Sequence, residues 1–99
     1  MSIEELQLLR QILDHYGTRE QLNKTREELR ELDSVIAMMR ENGPITNQRY
    51  QLAEEIADVE NTLNSLKLAY CLFEKVDSIR LQKLERTIKR VEGNREGDK

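Results

Sequence analysis

Tryptophan is absent from this sequence, and phenylalanine, cysteine, proline and histidine occur once each among 99 residues. Each scarcity excludes something. The lone Cys71 rules out an intrachain disulfide. Its place in the apolar run Leu68-Ala69-Tyr70-Cys71-Leu72-Phe73 predicts a buried, reduced thiol in a reducing compartment. His15 has no cysteine or second histidine near it, which argues against zinc. The four glycines form no phosphate-cradling loop: Gly43 precedes Pro44 in a turn, and Gly93 and Gly97 stand near the end of the chain. No apolar run approaches the ~20 residues of a membrane helix and no charged-then-apolar leader is present, so a soluble, cytoplasmic protein is expected. With so few aromatic side chains one chain buries only a modest core, and this predicts a homodimer or homotetramer.

Charged residues make up 35% of the chain and hydrophobic residues 37%, with little that breaks a helix, so the expected fold class is all-α. The net charge of −3 gives no general attraction to nucleic acid or to an acidic membrane surface. Ser2 and Glu5 have capping-box spacing, and Ile3, Leu6, Leu9, Ile12, Leu13 and Tyr16 recur at helical steps until Gly17. Thr18 and Gln21 repeat the box, and Leu22, Leu29, Leu32, Ile36 and Met39 carry a second helix to Asn42-Gly43-Pro44. From Thr46 onward Leu52, Ile56, Val59, Leu63, Leu66 and Tyr70 define a third. After a break between Cys71 and Asp77, a fourth carries Val76, Ile79, Leu84, Ile88 and Val91 and ends before Gly93-Asn94. The expected organisation is one domain over residues 1–92, an antiparallel four-helix bundle assembled by oligomerisation, with a disordered polar tail over 93–99.

One acidic pattern occurs twice: Glu27-Glu28-Leu29-Arg30-Glu31-Leu32, then Glu54-Glu55-Ile56-Ala57-Asp58-Val59. At about 100° per residue, Glu28 and Glu55 fall at the edges of the two apolar stripes, with Glu31 and Asp58 beside them. Leu29 and Ile56 lie at nearly equal distances from the Gly43 turn. In an antiparallel hairpin, Glu28, Glu31, Glu55 and Asp58 therefore reach one level and converge. Four converging carboxylates repel unless a cation sits among them, and an all-oxygen set suits Mg²⁺ or Mn²⁺.

With both halves in view, the sequence resembles the all-α nucleoside triphosphate pyrophosphohydrolases, the MazG-like superfamily that includes dimeric dUTPases and dCTPases. The family pattern, EExxE and then ExxD on the next helix, reads here Glu27-Glu28-x-x-Glu31 and Glu55-x-x-Asp58. The wording around it, from Tyr16-Gly17 to Lys83-Leu84-Glu85-Arg86, looks like the small phage-type members. The resemblance implies a Mg²⁺-dependent enzyme that cleaves an NTP or dNTP to the nucleoside monophosphate and pyrophosphate. It implies Glu28, Glu31, Glu55 and Asp58 as metal ligands. Glu27, left without the metal, becomes the acid that orients or deprotonates the attacking water. Lys83 and Arg86 match the family's late basic segment as phosphate-binding residues. Lys24, one turn before Glu28, is a further substrate-binding candidate and equally an i,i+4 partner of that glutamate. Asn61 and Thr62, one turn past Asp58, are further candidates for contact with substrate.

The rival reading is a non-catalytic helical oligomerisation or adaptor protein whose acids only keep it in solution. A nucleic-acid role for the basic fourth helix is disfavoured, because no aromatic residues interleave with its cations.

Overall fold

The computed structural model describes residues 1–43 and 46–97, with side-chain surroundings for 1–43 and 48–93. Most of the described residues are helical, in the order α1 (Ile3–Asn42), α2 (Thr46–Ala69) and α3 (Phe73–Gly97). Three helices stand where four are expected, because the first boundary is a break within α1 and not a loop. Gly17 adopts φ 84° and ψ 165°, outside the helical region, and the helix resumes directly after it. A positive φ of this kind favours glycine. The Ser2 hydroxyl accepts a hydrogen bond from the Glu5 backbone N–H at 3.1 Å, as the capping-box spacing predicts.

Gly43, at φ 76°, ends α1 and donates its N–H to the Met39 carbonyl at 2.9 Å. The helices α1 and α2 then pack against each other along their length, whereas α3 touches only α2, and only slightly. Residues 3–16 do not continue straight on from the rest of α1. Met1, Leu8 and Ile12 line the same cavity as Glu28 and Asp58, so this N-terminal arm turns at Gly17 and runs back along the α1–α2 hairpin. Leu9 and Leu13 are its buried side chains.

The hairpin seam has a seven-residue rhythm. Gln21, Glu28 and Val35 of α1 are buried, as are Gln48 and Thr62 of α2, with Glu55 half-buried between those two. The residues one step later are Leu22, Leu29 and Ile36 on α1, and Ile56 and Leu63 on α2, and all five are exposed. A one-residue step turns each helix by about 100° in the same sense along the chain. Because the helices are antiparallel, both turns point to the same side of the pair, which makes these five residues one outer apolar face. The residues one step earlier, among them Glu27, Glu54 and Asn61, face the opposite side. The expected stripe of Leu22, Leu29, Leu32, Ile36 and Met39 is thus divided: Leu32 and Met39 enter the seam and the others stay outside. A stripe that wide exceeds what one neighbouring helix covers.

The α2–α3 break falls at residues 70–72, at the N-terminal edge of the expected 71–77 window. Cys71 takes φ 56°, its N–H bonds to the Leu68 carbonyl at 3.3 Å, and the Leu72 N–H bonds to the Lys67 carbonyl at 2.8 Å. These paired bonds are a Schellman ending with a non-glycine residue at its left-handed position, which costs about 1 kcal/mol or more. The thiol is exposed, not buried, because the αL backbone turns Cys71 away from the helix that the apolar run suggested. Lys67 Nζ lies 6.0 Å from the Phe73 ring centroid and helps hold the start of α3. Beyond Val76 every described side chain of α3 is exposed. The helix continues through Gly93 to Gly97, past the end expected at Gly93-Asn94; of the expected tail, residues 98–99 lie outside the described residues.

Candidate metal centre and adjoining cavity

The most deeply buried side chains include more polar than apolar groups. Leu9, Leu13, Val35 and Val59 are buried, and so are Gln21, Thr25, Glu28, Gln48, Thr62 and Ser65. Burying a polar group adds nothing to stability unless it is hydrogen-bonded, so such a seam needs a reason beyond packing. Two of these groups are satisfied locally. The Thr25 hydroxyl donates to the Gln21 carbonyl at 2.6 Å, and the Thr62 hydroxyl donates to the Val59 carbonyl at 2.9 Å.

Three oxygens are not satisfied: Gln48 Oε1 is buried without a hydrogen-bond partner, and so is one oxygen on each of two acids. Glu28 is 4% exposed, and its Oε2, like the Oε2 of Glu55, is buried with no hydrogen-bond partner. Carboxylate oxygens of Glu28, Glu31 and Glu55 lie within 4.8 Å of one another. Around a magnesium ion at ~2.0–2.1 Å, neighbouring ligand oxygens sit about 3 Å apart and opposite ones about 4.2 Å. The donor set and the two orphaned oxygens fit a hard divalent cation.

Register about Gly43 explains the convergence. Glu31 and Glu55 stand twelve positions from Gly43 on opposite sides, and Glu28 and Asp58 stand fifteen positions from it. Two rungs of an antiparallel ladder are thereby filled with acids. Asp58, expected as the fourth member, is not among the clustered oxygens; it is exposed and lines the adjoining cavity together with Glu28. Its side chain is one methylene shorter than that of glutamate and starts from the side of the seam, so it falls short.

Lys24 Nζ lies 3.0 Å from Glu28 Oε1 and 3.7 Å from Glu27 Oε2. The hydrogen bond to Glu28, followed by the charges of Glu27 and Glu28, holds the Lys24 ammonium above the usual lysine range. The carboxyl of Glu31 is pushed above the usual carboxylate range, chiefly by the Glu28 charge, with reduced hydration and then Glu55 adding to it. The field at the cluster is therefore negative, with Lys24 at its edge. Glu27 is exposed on the rim.

Lys83 and Arg86 are exposed on α3, which makes no contact with α1. Within one chain they stand apart from Lys24, Glu28 and Glu31. The reason is the break at residues 70–72, which sends α3 away from the hairpin instead of back across it.

Sequence reasoning missed the cavity of about 710 Å³ that opens beside Glu28. Residues of the N-terminal arm, of α1 from Glu20 to Glu28 and of α2 from Asp58 to Ser65 line it. Asn61 and Thr62 were visible as candidates in the sequence, and both line this cavity. The contribution of Leu8, Ile12 and Tyr16 was hidden, because an apolar helical repeat looks the same whether it packs on a neighbour or walls a groove.

Compared with known proteins, the chain matches no protein-family model, no curated protein and no solved structure. Among the described residues, no helix is long and apolar enough to cross a membrane.

Proposed function

We propose that this protein is a Mg²⁺-dependent nucleoside triphosphate pyrophosphohydrolase that cleaves an NTP or dNTP to the monophosphate and pyrophosphate. The observation that carries this reading is the Glu28 carboxylate, buried with an unpartnered oxygen and facing Glu31 and Glu55. Left alone, that arrangement costs folding free energy through desolvation and repulsion. A divalent cation removes both costs, so the seam makes sense as a metal site.

Glu28, Glu31 and Glu55 would hold Mg²⁺, or Mn²⁺ in its place, with Asp58 beside them. When bound, the cation screens the triphosphate and lowers the pKa of a bound water. Glu27, exposed on the rim, accepts the proton of the attacking water as the anhydride bond between the α- and β-phosphates breaks. Lys24 pairs with Glu28 at 3.0 Å and offers its remaining ammonium hydrogens to phosphate. Lys83 and Arg86 serve as phosphate-binding cations only when α3 of a second copy brings them, which ties their role to assembly. The outer face of Leu22, Leu29, Ile36, Ile56 and Leu63 supports a homodimer or homotetramer.

That same face favours the second reading, a non-catalytic oligomerisation protein, yet such a protein has no use for carboxylates buried in its seam. The deciding experiment incubates the purified protein with a panel of NTPs and dNTPs plus Mg²⁺, beside the Glu55→Gln variant. Release of monophosphate and pyrophosphate by the wild type alone supports hydrolysis. No release from any member of the panel overturns it.

A further inference from the structure

The cavity beside the acid cluster differs from it in chemistry. Its volume of about 710 Å³ is that of a small-molecule site. One wall is apolar and comes from the N-terminal arm, where Leu8, Ile12 and Tyr16 line the space with exposed side chains. The α2 side presents the neutral amides of Asn61 and Asn64. Lys24 and Glu28 also line it, so cavity and cluster share a border. From Glu28 back to Gln21, both cavity residues, the helix rises about 10 Å, and this sets the length of the groove away from the cluster. Glu5, Glu20 and Glu60 also lie along it and repel phosphate from this part.

A ligand that spans both regions has one end that binds cations and another that is neutral. That second end offers a flat face to the apolar wall and hydrogen-bonding edges to the amides. We propose that the cavity holds the nucleoside half of the substrate: the base lies against Ile12 and Tyr16 with its polar edge toward Asn61 and Asn64, and the sugar lies beside Gln21. This rests on the hydrolase reading for what is bound at the cluster. It assigns substrate selection to the N-terminal arm, set in place by the break at Gly17, and separates selection from the metal-binding seam.

The test uses free ribo- and deoxyribonucleosides, which lack phosphate, and reads side-chain resonances by NMR without metal. Mn²⁺ is added in a separate titration to broaden signals around the cluster. The expected result is saturable shifts at Leu8, Ile12, Asn61 and Asn64 with at least one nucleoside. Ile12→Glu and Asn61→Ala, both at exposed positions, should each weaken that binding about tenfold or more. Mn²⁺ broadening near Glu28, Glu31 and Glu55 should be unchanged in both variants, which also shows that they fold. If no nucleoside shifts these residues, or if the shifts survive Ile12→Glu, the proposal is overturned. Nucleoside shifts without Mn²⁺ broadening support the groove and overturn the hydrolase reading. Metal binding and hydrolysis without groove shifts overturn the groove alone.

Discussion

The two sides of the α1–α2 seam make an instructive contrast. Inside, where a helical hairpin gains most from apolar packing, Gln21, Thr25, Glu28, Gln48, Glu55 and Thr62 stand beside Leu32, Val35 and Met39. Outside, one residue further along the chain, stand Leu22, Leu29, Ile36, Ile56 and Leu63, exposed. A chain arranged only to be a stable monomer would have the opposite pattern, since burying each such apolar side chain is worth about 1.5–3 kcal/mol. The inversion separates two tasks. The seam holds a cluster of carboxylates, and the outer face keeps apolar surface that, in the proposed assembly, packs against another copy of the chain.

That contrast can be broken at either side. The largest effect is expected from Glu55→Gln, which removes a charge from the cluster: steady-state hydrolysis should fall by roughly a hundredfold or more, while circular dichroism shows the helices unchanged. Next comes the outer face. Leu29→Glu combined with Ile56→Glu should weaken self-association by about a hundredfold or more, read by sedimentation equilibrium. An unchanged oligomer would show that these residues are not the contact.

A smaller effect sharpens the inside. Replacing buried Glu28 by leucine should raise the stability of the metal-free protein by about 1–3 kcal/mol, measured by denaturant unfolding, while abolishing hydrolysis. A destabilised Glu28→Leu would mean that the acid is part of the packing and not a functional expense.

The smallest effect is a pH slope. The folded chain holds the Glu31 proton to higher pH than the unfolded chain does, because Glu28 raises its affinity. The Glu31 contribution is therefore fully present below the unfolded carboxylate range and is lost as pH rises through its raised folded value. Metal-free wild type should lose melting temperature over that window relative to Glu31→Gln. Mg²⁺ should reverse the trend, since ligands bind it deprotonated. Lys24 acts with the same sign at alkaline pH: its raised folded value means stability present below the unfolded lysine range and lost as pH rises through it.

Much of this arrangement can be read in the sequence, for identifiable reasons. Ser2, Gly17 and Gly43 mark backbone events that few other residues perform, and the equal spacing of Glu31 and Glu55 about Gly43 is arithmetic that an antiparallel hairpin must obey. The direction in which the wide apolar stripe faces is not readable. Periodicity alone gives the packed side to Leu29, whereas in the structure the seam passes through Glu28, one residue away. The assumption that apolar means inside hides a polar seam. Asp58 misses the cluster because rung level ignores side-chain length, and Cys71 is exposed because no glycine marks the helix end it occupies. Lys83 and Arg86 stand apart because their position depends on the direction of α3, which is set by the Schellman ending at residues 70–72.

Everything turns on whether the buried carboxylates hold a cation, and thermal unfolding with rising Mg²⁺ or Mn²⁺ tests that most directly. A site confined to the folded state stabilises by about 2.7 kcal/mol at a hundred times its dissociation constant. The wild type should therefore melt at steadily higher temperature as the ion is added, and Glu28→Gln and Glu55→Gln should lose that rise. A melting temperature indifferent to both ions, or a rise that survives both substitutions, would contradict a metal site in this seam.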